Sequence, residues 1–480
     1  MIFISSAIFK QLILASCASL GYLTIGLVRG FSSPAVPSMK EISPELVPNP
    51  DAVSWISAVP PLGALCGSLA AGPLMQNLGR KGALLIAAPL FAVAWVAVAF
   101  SPTTAWLVAA RAACGFCVGL ILPSAQVYVS ECSHPKIRGR LGTLPAIFMA
   151  GGILVAYVFG YFFTWYRLAL VSAAFPGVLL LLLIPLPESP AWLRSRGKNK
   201  AADAAMDWLQ LQPTAPQIEL FTVTEAPKPP ALPTPKENNI KRSKTKLRGP
   251  YSPSELFKKS VLVPFGLVLA ILVFQQISGI DTIIFYTVSI FQASGSDMGE
   301  YEATIVVGVV QLLATIVSIF IIDRFGRKPL LMWSGVIMVV SMIALGYYFY
   351  LHERGRAFDL GSLPLISQMV FIAGFSVGYS NVPFILMGEL LPSAQRSLLS
   401  SVSGAANLGA MFVVIKTYPD TVAVIGSEGA FWMYAGFSFV GCIFVYFLLP
   451  ETKGKSLEEI EAIFETKKQT NKENEAEAVS

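Results

Sequence analysis

The chain has 480 residues, of which 54% are hydrophobic and only 13% charged, with a formal net charge of +6. A soluble domain carries about 25% charged residues, so this composition excludes a water-facing surface over most of the chain. What remains is a set of helices solvated by lipid, where each backbone polar group needs an internal partner. A spanning helix takes about 20 apolar residues. Runs of that kind fall at 8–29, 52–76, 82–100, 104–130, 141–163, 167–186, 261–292, 302–322, 329–350, 362–389, 397–417 and 429–449, which predicts twelve spans. The first begins almost at Met1, holds one basic residue (Lys10) and has no convincing cleavage site before Gly21, so it reads as an uncleaved helix rather than a secretory signal. Cys17, Cys66, Cys114, Cys117 and Cys442 lie in these runs and Cys132 at a helix end. Cys114-x-x-Cys117 has no second pair to complete a zinc site, so the cysteines read as small packing residues.

Most of the 35 lysines and arginines lie in the loops after even-numbered spans and in the tail. The opposite side, with the helix ends facing it, holds Arg29, Lys40, Arg167, Arg354, Arg356 and Lys416. The positive-inside rule makes the basic side cytosolic, with both termini and a long central loop on it. That loop divides the chain into a first six-helix bundle at 1–186, a linker with short helices at 187–260, a second bundle at 261–450 and a tail at 451–480. Residues 191–210 are amphipathic and predicted helical. Residues 213–250 are rich in proline and lysine and predicted flexible. The basic run 241–246 reads as solvated linker in preference to a lipid contact. Beyond Glu465 the tail has no apolar period and is predicted disordered.

The charges between the apolar runs occur twice. Gly79-Arg80-Lys81 recurs as Gly326-Arg327-Lys328, Glu131 with Arg138 recurs as Glu389 with Arg396, and Pro187-Glu188 recurs as Pro450-Glu451. Duplicated charges at helix ends point to two homologous bundles, a common way to build a transporter. Ion pairs there can join the bundles when that side is shut and must break when it opens. An exposed pair contributes about 0–1 kcal/mol, so several weak pairs make a latch that thermal motion releases. Arg80, Glu131, Arg138, Arg327, Glu389 and Arg396 are candidates, with Asp323 and Arg324 beside them. The alternative is charge that serves orientation alone; the mirrored positions favour the gate.

Further pieces are Arg111-x-x-x-Gly115, Pro187-Glu188-Ser189-Pro190, Gln275-Gln276-Ile277-Ser278-Gly279-Ile280, Asp323-Arg324-Phe325-Gly326-Arg327-Lys328 and Pro450-Glu451-Thr452-Lys453-Gly454. In this order and at these helix ends, the chain resembles the sugar porter family of the major facilitator superfamily. Within its glucose-facilitator branch the match is best to the insect facilitated trehalose transporters, from the first helix through Ile460. The resemblance implies an all-α membrane protein with twelve transmembrane helices in two pseudo-symmetric six-helix bundles. It implies facilitated diffusion of a hexose or a disaccharide such as trehalose, by a monomer in the plasma membrane. The implied partners are a small-molecule sugar and the lipid bilayer, with no nucleic acid, no cofactor and no metal. The first-half loop motif departs from the family, with Gln76 and Asn77 where an acid and a base are usual.

A sugar needs amide and carboxylate side chains for its hydroxyls and an aromatic ring to stack on. Polar groups at membrane depth are costly and should face a cavity. The seventh span supplies Gln275, Gln276 and, after a Ser278-Gly279 break, Asp281. The eighth supplies Gln311. The tenth supplies Phe375, Tyr379, Asn381, Pro383 and Phe384, and the eleventh Asn407. By resemblance, Gln275, Gln276, Asp281, Gln311, Phe384 and Asn407 occupy sugar-contact positions; the alternative for a buried amide is a helix–helix hydrogen bond. Ala146, Gln126, Asp281, Phe384 and Leu408 depart from the family's usual residues, which suits a pocket wider than a monosaccharide.

Asp281 is the one carboxylate well inside a span. It must be neutral, hydrated in the cavity, or paired. Three readings stay open: a pair with Arg29 across the pseudo-two-fold axis, a hydroxyl-binding acid, and a proton carrier. Related proton-coupled porters carry an aspartate in the first span, where this chain has Leu23 or Val28, so Arg111 lacks that carboxylate. There is no Walker motif, and the two histidines, His134 and His352, form no catalytic constellation. A non-transporting sugar sensor is the remaining alternative. Topology mapping tests the organisation: the turns at residues 80 and 327 are expected on the same side of the bilayer.

Overall fold

The computed structural model describes residues 6–211, 258–295, 298–356, 360–392, 395–455, 459–460 and 464, without the side chains of residues 6, 7, 135, 136, 259, 323 and 397. The linker residues 213–250, its basic run and the tail beyond residue 465 lie outside the described residues. Eleven continuous stretches are long and apolar enough to cross a membrane. One of them, Leu398–Leu448, is two spans joined at Gly426, whose φ of 75° interrupts the helix. The described chain therefore carries the twelve expected spans, and its architecture is all-helical.

Two expected boundaries differ. The first span does not end at residue 29 but runs as one helix over Ser6–Ile42, through Pro34 and Pro37. Phe31, Ala35, Val36 and Met39 on the added turns are buried. Prolines inside membrane helices are tolerated because neighbouring groups take up the freed carbonyls. The eleventh and twelfth spans have no polar loop at 418–428; helix continues there up to the Gly426 break. The linker begins with two short helices, Pro190–Ser195 and Asn199–Leu209, separated at Gly197.

Within the first half, the second span packs on the fourth and the first on the fifth. Lipid tails are as apolar as leucine, so spans associate by close packing of small residues. A Cβ added at Gly63, Gly67, Gly115 or Gly119 would strike the backbone of the facing helix of the second and fourth spans, and one at Gly26 or Gly152 would do the same between the first and fifth. Large apolar side chains such as Val93, Leu181, Phe320 and Phe447 remain on the outside, exposed as a lipid-facing surface requires.

Between the halves, the second span meets the eleventh, the fifth meets the eighth, and the first meets the second segment of the seventh. Exchange of the halves maps the 2–11 contact onto the 8–5 contact and the 1–7 contact onto itself. That is the pattern of a two-fold axis between the bundles. We call the side with the turns at 79–81, 132–140, 326–328 and 449–455 the basic face, and its opposite the far face.

The seventh span is broken as expected. Helix Lys259–Ile277 ends at Ser278, Gly279 takes φ 86°, and helix Ile280–Ser294 follows. The Gly279 position tolerates no side chain, because a Cβ would lie 2.7 Å from the Tyr434 ring. We expect Gly279→Val to be destabilised by at least the roughly 1–3 kcal/mol that left-handed backbone costs other residues, read as a lowered melting temperature in detergent.

Candidate functional site

The tenth span is also broken. Helix Leu363–Val377 stops, residues 378–381 form turns, and helix Val382–Leu390 resumes. A helix end leaves carbonyls without intrahelical donors, and in a membrane they must find partners in the protein. Gln275 supplies one: its Nε2 donates to Tyr379 O at 2.6 Å and Ser380 O at 3.4 Å. Its Oε1 accepts from Asn407 Nδ2 at 3.0 Å, which also donates to Leu272 O at 2.9 Å. Gln276 Nε2 donates to Asn407 Oδ1 at 3.2 Å. Three of the expected residues thus form one buried amide cluster that ties the eleventh span to the seventh and tenth spans near their breaks.

Two amide acceptors of the expected set have no described protein donor. Gln276 Oε1 and Gln311 Oε1 are both buried and unpartnered. An unsatisfied buried acceptor costs about 1–3 kcal/mol, and a hydroxyl-bearing ligand would relieve it. Phe384 is 46% exposed, on the helix that resumes after the tenth-span break. The rest of the tenth-span set diverges. The Tyr379 ring lies against Gly335 and Gly441 of the ninth and twelfth spans, and Asn381 Nδ2 donates to Ser318 Oγ at 3.2 Å.

Asp281 does not join the amides. Its carboxylate is fully buried and paired through Oδ1 with Arg29 Nη2, the first of the three readings left open by the sequence. Arg111 is also fully buried. It donates to Val28 O at 3.1 Å, Ser32 Oγ at 3.0 Å and Ile56 O at 3.4 Å, and stands 5.0 Å from the Phe31 ring. Its partners are neutral, as expected from the missing first-span acid.

At the basic face the duplicated charges build the same object twice. In the first half, Glu188 accepts from the backbone N–H groups of Arg80 and Lys81 at 3.0 Å and Gly82 at 3.2 Å, capping the third span. Arg80 Nη2 bonds Glu131 Oε1 at 2.7 Å, and Ser189 Oγ donates to Glu131 Oε2. In the second half, Glu451 accepts from Arg327 N at 3.1 Å and Lys328 N at 2.9 Å. Arg327 Nη2 bonds Glu389 Oε1 at 2.8 Å, and Thr452 Oγ1 donates to Glu389 Oε2 at 2.6 Å. Gly79 and Gly326 open both turns with φ near 90°, where a Cβ would meet the capping carboxylate. The sequence named these arginines and glutamates as gate candidates, with Glu131 set beside Arg138 and Glu389 beside Arg396, and did not name the Arg80–Glu131 and Arg327–Glu389 pairing. It did not assign Glu188, Ser189, Glu451 and Thr452 as their supports, although the recurring Pro-Glu was the signal.

Every ion pair described at the basic face stays within one half, so the expected latch between bundles is not formed here. Arg138 is exposed with no described ion pair, and Arg324 is exposed with its carbonyl accepting from Lys453 Nζ at 2.6 Å. Arg396 Nε donates to Leu391 O at 3.1 Å. The Asp323 side chain lies outside those described. Polar contacts that do cross between halves lie in the far half of the spans. Tyr157 Oη donates to Ile284 O at 2.8 Å, Val288 N to Ser33 Oγ at 3.1 Å, and Lys416 Nζ bonds Asp51 at 2.6 Å. The far side is closed.

Residues 14–464 match the profile of the family described as "Sugar (and other) transporter". The chain belongs to this sugar transporter family. Among its relatives, the facilitated trehalose transporter Tret1 of Culex quinquefasciatus is 38% identical over 460 residues, covering 95% of this chain and 86% of the relative. The honeybee Tret1 (Apis mellifera ligustica) is 37% identical over 455 residues, covering 95% and 88%. The chain spans about half, 51%, of the longer Tret1 of Drosophila mojavensis. The fold matches that of the xylose transporter XylE from E. coli in a partially occluded inward-open conformation, with TM-score 0.74 and 24% identity, over 94% of this chain and 100% of that one.

The Glu451 cap has a pH signature. Burial acts to raise its carboxyl pKa, yet the N–H groups of Lys453, Arg327, Lys328 and Thr452 outweigh burial and hold it below the ordinary value. A native pKa below the unfolded one adds stability above the unfolded pKa, and that stability is lost as pH falls through the native value. Glu451→Gln is therefore expected to melt earlier at neutral pH, by about 0.5–2 kcal/mol as for other helix caps. The gap should narrow as the pH drops below about 4, in melts of parent and variant side by side.

Proposed function

We propose that this chain carries a disaccharide such as trehalose, or a hexose, across the plasma membrane by facilitated diffusion. The observation that carries the reading is family membership along nearly the whole chain together with close identity to relatives described as facilitated trehalose transporters. The sugar binds near the midplane at the amide cluster. Gln276, Gln311, Gln275 and Asn407 offer acceptors and donors for hydroxyls, Phe384 supplies an apolar ring for the sugar face, and Asp281 lies just beyond them. The bundles at 1–186 and 261–450 rock against each other across the two-fold axis, with the linker and tail outside them. The basic face is cytosolic, so the closed far side is the exterior and the arrangement faces inward. Arg80, Glu131, Arg138, Asp323, Arg324, Arg327, Glu389 and Arg396 join the halves when the cytosolic side closes.

Uniport is favoured over proton coupling by Arg111, whose hydrogen-bond partners are carbonyls and a hydroxyl. A single chain is sufficient, because both halves of the site are in it. Counterflow in oocytes or proteoliposomes, with labelled trehalose, glucose, fructose and sucrose, tests the cargo. Saturable trehalose flux that ignores an imposed pH gradient is expected. Gln276→Leu should raise the KM by about 3–10-fold, the effect of losing one hydrogen bond. Absence of flux for all four sugars would defeat the reading.

A further inference from the structure

We propose that the Arg29–Asp281 pair is the far-side gate of this protein: an ion pair made only while the far face is shut, which biases the carrier toward its inward-facing state. This rests on the alternating-access reading above. Arg29 belongs to the first span and Asp281 to the seventh, one in each half. The 1–7 contact is the one that exchange of halves maps onto itself, so it lies at the two-fold axis, in the middle of the interface between the halves. Opening of the far face separates these two spans, and the pair cannot survive it.

The pair sits in a seam of contacts between the halves. Tyr157 bonds Ile284 O and Ser33 bonds Val288 N across it, while within the first half Arg29 Nη1 approaches Met149 Sδ at 3.9 Å. Asp281 follows Gln275 and Gln276 across the Ser278-Gly279 break, so the gate stands directly beyond the amide cluster. Inside the seam each charge depends on the other. Asp281 is fully buried with Oδ2 unpartnered, and the Arg29 Nε has no acceptor. Separation leaves two charges that only water or substrate can satisfy, which makes opening costly in the absence of either. Among the described residues the other pair across the halves, Lys416–Asp51, has an aspartate 68% exposed and holds far more weakly. A charge pair present in one state and absent in the other biases the equilibrium between them.

The gate is read without sugar. Val288 is fully buried in the seam, so a Val288→Cys thiol is hidden when the far face is shut. The rate at which a membrane-impermeant thiol reagent, applied to the far face of intact cells, labels that position reports opening. Parent protein with its natural cysteines alone gives the background. Arg29→Ala or Asp281→Asn is expected to speed labelling by roughly 5–150-fold, the usual span for coupling between two states. The exchange Arg29→Asp with Asp281→Arg should return the rate toward the parent. Should the single variants fail to reach the membrane, the doubly neutral Arg29→Leu/Asp281→Asn carries no unpaired charge and should also label fast. Labelling of the doubly neutral protein at the parent rate, or of the exchanged protein as fast as the single variants, would overturn the gate. Sugar uptake by the parent is scored separately: labelling that responds while no sugar moves would defeat the cargo and leave the gate standing.

Discussion

In hydrocarbon every backbone N–H and C=O must be satisfied from within the protein, and this constraint organises the membrane interior of the chain. Unbroken spans meet it with their own hydrogen bonds. Broken spans do not, and the seventh and tenth are both broken near their middles. The carbonyls released at 379–380 draw in Gln275, which in turn orients Asn407 and Gln276. One physical requirement thus both bends two helices and concentrates amides where they bend. A polar cluster in a lipid-facing protein sits where its helices break rather than on a separate device.

The two faces of the membrane are handled by different chemistry. At the basic face each half contains a self-sufficient unit, in which a glutamate caps a helix and an arginine–glutamate pair braces it. Each unit is complete within its own bundle. At the far face the polar contacts run between halves. The linker adds an asymmetry. The Gln76 carbonyl accepts from Trp192 Nε1 at 2.9 Å and from Arg196, while Gln11 bonds Leu209 O at 3.0 Å. The first half, which lacks the usual acid and base at Gln76 and Asn77, is thereby bound to the two helices that follow it.

Much of this was legible in the chain itself. Apolar runs set the number of spans because lipid demands a fixed length, and repeated charges revealed the halves because helix ends must carry them. The Arg29–Asp281 pair was open to inference from matching places in the two halves. What escaped was decided by third parties. Glu188 and Glu451 were visible as a repeat, but their task depends on N–H groups more than 100 residues away. The helix through Pro34 and Pro37 follows from burial against neighbours, which no local pattern announces. Gln275 was identified as a ligand contact from its position, yet its amide nitrogen is held by backbone carbonyls that exist only because another span unwinds.

The separation of Arg29 from Asp281 along the chain, 252 residues, has a consequence for biogenesis. At roughly 5–20 residues per second, the ribosome finishes the first partner about 10–50 s before the second exists. For that interval the nascent amino-terminal half holds an arginine without its counter-ion, and the charge is neutralised only when the second half docks. Assembly of the halves is therefore marked by an electrostatic event that a truncated or mis-docked chain never completes, a feature by which membrane quality control could distinguish finished protein from fragments.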